Sequence, residues 1–572
     1  MARRLAVVAA LAALAAALAG CVSIPTEGPI SRGSPAPADP VIPIPLPLAP
    51  QDGASQEDIV AGFLSAAQAG VWEDYETALE YLARGTQWDP WAQTVVASQD
   101  PEVLLVQEGE VRVTVRNSAT VDEGGVYEEV VADATPVEMS FGLVRERGEW
   151  RIASLPDGVV VRDASFASAF TPVPVYFAAP DRRTGVAELR WLPNRDLLRR
   201  TVQALVAGPS PWLRDAVATA IPPLERNPVE DVTGPDAAGV VTVRLAPEVN
   251  RAALPENARE LLQAQLEATL MTSNLRGIVV TGVTVSVGAA GVPWEVDQQD
   301  VVPLARDVLA EAGPFVVRDG VVAEVRGQGV LEPVADLAPL ADLAAHHLAT
   351  GLDGLVWAVL DGPGRLVLLP TDGSEPRELH VGVSLVGPSV DRAGWVWTGE
   401  RASAGVLVAV SADGELVELA APWLAGREVR SVRVSRDGTR VAVASVGSDG
   451  APSIEVRAVI RTEDEGRPQL LGRESLTVGA VLGDVVELAW LDGTDLAVLG
   501  TRGGSEQPGV HEVPLGGPTT LVQFVPDDAR GIAAGRGEGS VHVVDEAGVL
   551  RVLRGSGWVV VAEQVSDPVF PG

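Results

Sequence analysis

Arg430-Ser431-Val432-Arg433-Val434-Ser435, then Arg436-Asp437-Gly438-Thr439, then Arg440-Val441-Ala442-Val443, has the pattern of a β-hairpin. Polar and apolar residues alternate on both arms, the period of a half-buried strand. Asp437-Gly438 between them supplies the positive φ of a tight turn. Looser versions recur around Asp319-Gly320, Gly364, Ala393-Gly394, Asp492-Gly493 and Arg530-Gly531. Their spacing of roughly 30 to 55 residues is that of propeller blades. One blade cannot bury both faces alone, and stacking about six around an axis solves the problem. The expectation over 300–572 is therefore an all-β propeller of about six blades. A β-sandwich competes, and the repeated hairpin period argues against it. Two departures are expected: a short helical stretch around Leu337 to His346, and a charged loop insertion from Arg461 to Glu474.

Upstream, the periodicity changes. Over 56–165, Ile59, Val60, Phe63, Leu64 and Ala67 recur at three and four, one apolar helical face. Ser55 can cap this helix, with Asp58 three residues on as a capping-box carboxylate. A second helix should carry Tyr75, Leu79 and Leu82 on one side. Strand-like runs follow at Val103 to Gln107, Val111 to Arg116, Val126 to Ala132, Val137 to Val144 and Glu149 to Ser154. Two helices and an antiparallel sheet make an α+β domain, by analogy a cone-shaped sheet of the NTF2-like kind. A second α+β unit occupies 166–295. It has strands at Val173 to Ala178, Glu188 to Leu192, around Val240 to Leu245, and Val279 to Val287, with helices at Asp196 to Ala207 and Glu256 to Thr272.

The first 20 residues differ from everything else. Arg3 and Arg4 precede an apolar stretch from Leu5 to Leu18, and Leu18-Ala19-Gly20 leads into Cys21. A basic start, a short apolar run and small residues describe a secretion signal. The run is shorter than the roughly 20 apolar residues a spanning helix needs. The small-residue tripeptide before a thiol resembles a lipobox. That resemblance implies cleavage between Gly20 and Cys21, a diacylglyceryl thioether on Cys21 and acylation of its amino group. From 21 to 55 the chain is a tether, with Pro40, Pro43, Pro45, Pro47 and Pro50 nearly alternating. Proline fixes φ and removes a donor, so this stretch should be extended.

Composition narrows the function. Cys21 is the only cysteine, so an exported chain must hold itself together by core burial rather than disulfides. The formal charge is −34, and all 43 basic residues are arginine. Without the two leader arginines the charge is −36. Such a surface repels phosphate backbones, which argues against nucleic acid as a partner. The absence of lysine, with abundant Ala, Val and Gly, suggests a GC-rich genome such as that of an actinobacterium.

The unit at 166–295 resembles the GerMN domain of bacterial envelope and sporulation proteins. The match rests on Val175-Tyr176-Phe177, Leu189 through Arg195, Leu205-Val206-Ala207-Gly208-Pro209, Thr219-Ala220-Ile221-Pro222, Val241 through Leu245, and Gln263 through Leu270. The whole chain resembles the LpqB family of actinobacterial lipoproteins. The words that carry this are Cys21 through Ile30, Ile59-Val60-Ala61-Gly62-Phe63-Leu64, Tyr81-Leu82 and Trp88-Asp89-Pro90. In the propeller they are Pro388 through Arg392, Gly394-Trp395-Val396-Trp397, Val432 through Val443, and Asp567 through Gly572. The resemblance implies a lipid-anchored protein on the outer face of the cytoplasmic membrane. It also implies an accessory role toward the extracellular region of an MtrB-type sensor histidine kinase of the MtrAB two-component system, and so toward cell-envelope homeostasis.

Catalysis should leave a constellation of acids, bases or nucleophiles. No Gly-x-Ser-x-Gly, HExxH or Cys-x-x-Cys occurs. His346-His347 is the only histidine pair, and neighbours on a helix diverge. His511 and His542 fall in strand-like runs. Gly535-Arg536-Gly537-Glu538-Gly539 lacks the following helix of a phosphate loop and reads as a blade turn. Asp391, Asp437 and Asp492 belong to turns, where a carboxylate bonds backbone amides. Trp395 and Trp397 share a strand face and read as packing between blades. The expectation is a non-enzymatic binding protein without catalytic residues, cofactor or metal. A cell-wall glycan-binding module is the alternative, and a propeller hydrolase the weakest reading.

Overall fold

The turn at Asp437-Gly438 shows how this fold is built. Gly438 has φ +76°, and Asp437 accepts the Thr439 amide at 2.9 Å. The arms run as strands Glu428–Val434 and Arg440–Val446, paired antiparallel. Two further strands, Pro452–Arg461 and Pro468–Val478, complete a four-stranded sheet. The computed structural model describes residues 47–572, apart from 73, 132–133, 223, 252–253, 255–256, 273–274, 289–290, 295, 298, 307, 309, 311, 328, 463–465 and 536. Gly20, Cys21, the leader and most of the tether lie outside the described residues.

Beyond Phe315 the described chain forms six four-stranded antiparallel sheets in succession. The first combines Phe315–Arg318, Val321–Arg326 and Val330–Pro333 with the last strand of the chain, Ser566–Val569. Pairing the last strand beside the first closes the array. The inner strands of successive sheets pack against one another round the ring, 566–569 against 345–350, then 389–390, 428–434, 482–490, 529–533 and back to 566–569. The result is a propeller-like domain with no free inner edge.

Several sequence expectations need correction. Leu337 to His346 is not helical. Pro339 interrupts it, and Ala345–Thr350 is the inner strand of the second sheet, paired with Trp357–Asp361. Arg461 to Glu474 is no loop insertion, because Arg461 ends the strand Pro452–Arg461 and the strand Pro468–Val478, which contains Glu474, pairs with it. Arg530-Gly531 lies within the strand Ala529–Ala533, which pairs with His542–Asp545.

The N-terminal region is α+β, with more strands than the periodicity reveals. Helix α1 (Gln56–Gly70) buries Ile59, Val60, Phe63 and Ala67. Ser55 caps it reciprocally, its Oγ accepting from the Asp58 amide at 3.1 Å while its own amide donates to Asp58 Oδ2. Gly62 is required by close approach, since a Cβ there would lie 2.6 Å from the Tyr81 hydroxyl. That hydroxyl donates to the Leu48 carbonyl at 2.7 Å and holds the end of the described tether. The second helix, α2 (Glu76–Leu79), is only one turn long, and Leu79 is exposed. Eight strands form two sheets rather than one. The strands Gln93–Ala97, Asn117–Asp122 and Val159–Arg162 carry no clear pattern in the sequence, and Gln93–Ala97 runs parallel to Val159–Arg162. We expect Ser55→Ala to cost about 1 kcal/mol. Chemical denaturation of the two proteins side by side would measure it.

In the second α+β unit the hairpin Phe170–Ala178/Gly185–Pro193 stands beside a sheet in which Val240–Leu245 runs parallel to Gly282–Val287. The remaining helices of this region are the short α3 (Asp163–Ala169), α4 (Leu197–Ala207) and α5 (Ala258–Leu270). Two glutamines of α5 explain part of the GerMN-like pattern. Gln265 Oε1 accepts from the Ala220 amide at 3.0 Å, and Gln263 Nε2 donates to the Val283 carbonyl at 2.9 Å. A buried amide side chain must be satisfied, so these bonds fix the segment at Ala220 and the strand Gly282–Val287 against the helix.

Candidate functional site

The six inner strands enclose a channel of about 360 Å³. Its wall takes residues from every sheet, including His347, Ser389, Arg433, Glu487, Ile532 and Asp567. Arg433 Nη2 and Glu487 Oε1 form an ion pair at 2.6 Å, and Glu487 Oε2 accepts the Ile532 amide at 3.1 Å. This pair ties the fourth, fifth and sixth sheets together across the wall. His347 sits at φ +55°, beside a register shift in its strand, and its amide donates to Asp567 at 2.7 Å. Burial pushes its imidazole below the ordinary histidine range, opposed by Glu487. The His346-His347 pair therefore stands on a channel strand, not at a helix end.

Arg436, beside the turn, closes one end of the wall. Its Nε donates to the Pro571 carbonyl at 3.2 Å, and Nη2 donates to Trp490 and Ala534 carbonyls at 3.1 and 2.9 Å. The same turn faces the GerMN-like unit with Arg440. That side chain is fully buried, donates to the Ala187 carbonyl at 3.1 Å, pairs with Asp437 and lies over the Trp490 ring at 5.3 Å. Burial raises the Asp437 carboxyl, and Arg440 with the Thr439 and Ser435 hydroxyls outweighs it, leaving the group below its ordinary range. The six residues 435–440 thus join the channel, the chain's last residues and the neighbouring unit.

The seam between units is a continuous core. Phe177, Leu205, Leu213 and Leu266 of the GerMN-like unit belong to one buried cluster with Ile454, Val456, Leu488 and Val498 of the fourth and fifth sheets. Trp191 Nε1 donates to the Gly516 carbonyl at 2.8 Å. The N-terminal region is attached as well, because Glu129 accepts from the Thr519 amide and hydroxyl at 2.9 and 2.7 Å. Residues 45–572 form one compact unit.

The remaining candidates are structural. Asp391 Oδ1 accepts the Ala393 and Trp395 amides, and Oδ2 accepts from Trp397 Nε1 at 2.8 Å and pairs with Arg461 at 2.6 Å. Trp395 and Trp397 are buried in the cluster between the third and fourth sheets. Asp492 accepts the Thr494 and Asp495 amides. His511 and His542 are buried on strands. Among the described residues, no group of three or more His, Cys, Asp or Glu is placed to hold a metal ion. Sequence reasoning missed Arg433, Arg436, Arg440 and Glu487. Arg433, Arg440 and Glu487 on strand positions look like a solvated face, Arg436 looks like an exposed turn residue, and only the ring closure turns them inward.

His542 carries a pH consequence. Nδ1 lies 2.6 Å from the Ser540 carbonyl, an acceptor, so Nδ1 bears the proton of the neutral ring. Burial pushes the imidazole down to about 4. The unfolded chain takes up this proton near 6.5 and the folded one only near 4. Stability therefore falls as pH drops from about 6.5 to about 4. His542→Asn keeps a donor toward Ser540 and should flatten part of that decline in thermal midpoints measured across the interval.

Three family models match in chain order. The "Lipoprotein LpqB, N-terminal domain" covers 49–167, "Sporulation and spore germination" 174–288, and the "Lipoprotein LpqB beta-propeller domain" 320–571. Lipoprotein LpqB of Nocardia farcinica is 28% identical over 95% of this chain and 93% of its own length. Lipoprotein LpqB of Thermobifida fusca is 29% identical over 88% of each. The chain belongs to the LpqB lipoprotein family. Its LpqB relatives are named as lipoproteins and not as enzymes. A lipoprotein is held at a membrane by its lipid, and among the described residues no helix is long and apolar enough to cross one. Of solved structures, BamB from Moraxella catarrhalis covers 48% of this chain and 86% of its own at a TM-score of 0.28 and 14% identity.

Proposed function

We propose that this LpqB-family protein is a non-enzymatic accessory lipoprotein, anchored through Cys21 at the extracytoplasmic face of the cell membrane. Its body binds the extracellular region of an MtrB-type sensor histidine kinase and so acts on envelope homeostasis. In this reading 1–20 is the signal peptide, 21–55 a proline-rich spacer, 56–165 an NTF2-like variant, 166–295 the GerMN domain, and 300–572 a propeller whose six sheets are six blades. The observation that supports it is the continuous core between units. A fused body on a spacer presents one large fixed surface, which suits recognition of a folded partner. Binding of the detergent-solubilised full-length protein to the purified sensor region tests it. Saturable association is expected, and none at the highest soluble concentration would refute it.

A second reading, cell-wall glycan binding, is favoured by one feature. The outer face of the GerMN-like sheet carries Thr233, Thr242, Thr284, Ser286, Asp231 and Arg244, with the Thr242 and Thr284 hydroxyls 3.0 Å apart. Such a polar ladder can match sugar hydroxyls. Co-sedimentation with peptidoglycan sacculi distinguishes the two readings.

A further inference from the structure

The propeller channel contains a buried cation that its surroundings do not fully satisfy. Arg436 is 5% exposed and all three of its hydrogen bonds go to peptide carbonyls. Its Nη1 is buried with no hydrogen-bond partner among the described residues. A buried guanidinium normally pairs with an anion, and an unpaired donor costs about 1–3 kcal/mol. The other wall cation, Arg433, already has Glu487. Arg530 is exposed at the rim. Arg433, Arg436 and Arg530 thus share the channel with Glu487, Asp567 and the last residue, Gly572, and of the three arginines Arg436 alone is buried without a carboxylate hydrogen-bonded to it. A buried, incompletely satisfied guanidinium at the wall of a cleft favours an anion there. Its volume of about 360 Å³ falls in the range of small-molecule pockets, roughly 300–1,000 Å³. Leu348, Val390, Ile532, Val544 and Val569 give it an apolar lining.

We propose that the channel binds a compact organic oxyanion, a carboxylic acid or a phosphate ester, with its charged end on Arg436 and its body on the apolar wall. Burial also pulls the Arg436 guanidinium down to about 10, against the pull of Asp492 and Asp437, so an anion at this point relieves an existing penalty. His347, neutral through burial, offers a hydrogen bond rather than a charge. Arg436 itself holds the Pro571 carbonyl, and Arg440 of the same turn holds the Ala187 carbonyl of the GerMN-like unit, so occupancy of the channel can be felt at the seam. This site is independent of the kinase reading, and either can fail without the other.

The test uses the full-length protein in detergent, titrated by calorimetry with citrate, glucuronate, glycerol 3-phosphate and, as a neutral control, glucose. Binding of at least one anion with no binding of glucose is expected. The carboxylates and the phosphate ester separate the two sources of oxyanion. Arg436→Met should weaken the bound anion by roughly tenfold or more. Because that variant can also loosen the tail at Pro571, a crystal structure of the wild-type protein with the best anion provides a second readout. Density in the channel against Arg436 supports the proposal. Failure of all three anions to bind, or density only outside the channel, overturns it.

Discussion

Arg440→Met is expected to destabilise the body of the protein by about 3–5 kcal/mol, the usual cost of removing one partner from a buried ion pair. The side chain has no solvent exposure, and its loss strands the buried Asp437 carboxylate. It also removes the donor that holds the Ala187 carbonyl across the seam. The damage should be greatest at neutral pH, where Asp437 must stay charged without its partner. It should shrink in acid, where the carboxyl can take up a proton. Asp437→Asn combined with Arg440→Met should recover part of the loss, since no uncompensated charge remains. Calorimetric thermal midpoints of wild type, single and double variants at two pH values would establish this. An Arg440→Met protein as stable as wild type would show that the turn is not the clamp described here.

Cys21→Ala is expected to move the protein from the membrane fraction to the soluble one. Each buried methylene contributes about 0.8 kcal/mol, and two chains give stable attachment where one gives only marginal binding. The described body should be unaffected, since residues 45–572 have their own core. Fractionation with circular dichroism of the released protein checks both halves. Membrane retention of the variant would contradict the assignment of Cys21.

Much of the fold is legible in the residues because its turns are chemically distinct. Asp319-Gly320, Ala393-Gly394, Asp437-Gly438 and Asp492-Gly493 all lie between paired strands. Their uneven spacing also has a cause. The turns at 393–394, 437–438 and 492–493 join the inner strand to its neighbour, whereas Gly364 joins the next pair out. Arg530-Gly531 imitates a turn and is a strand, because ring closure rather than local propensity places it inside. Ala345–Thr350 misleads for a similar reason, the alanines and leucines around it suiting a helix until a strand pairs with them. The N-terminal strands Gln93–Ala97 and Val159–Arg162 are parallel and distant in sequence, so no hairpin signal marks them. Site residues were the least legible. Asp391 and Asp437 announce themselves by their turns, but Arg433, Arg436 and Glu487 acquire meaning only where six strands converge.

The most direct test of the central claim is association of the full-length lipoprotein, in detergent, with the extracellular region of the sensor kinase, measured by analytical ultracentrifugation. The account predicts a discrete complex for wild type and a weaker one for Arg440→Met at a temperature where both are folded but the seam is loosened. Independent sedimentation of wild type and sensor region at every concentration would contradict it.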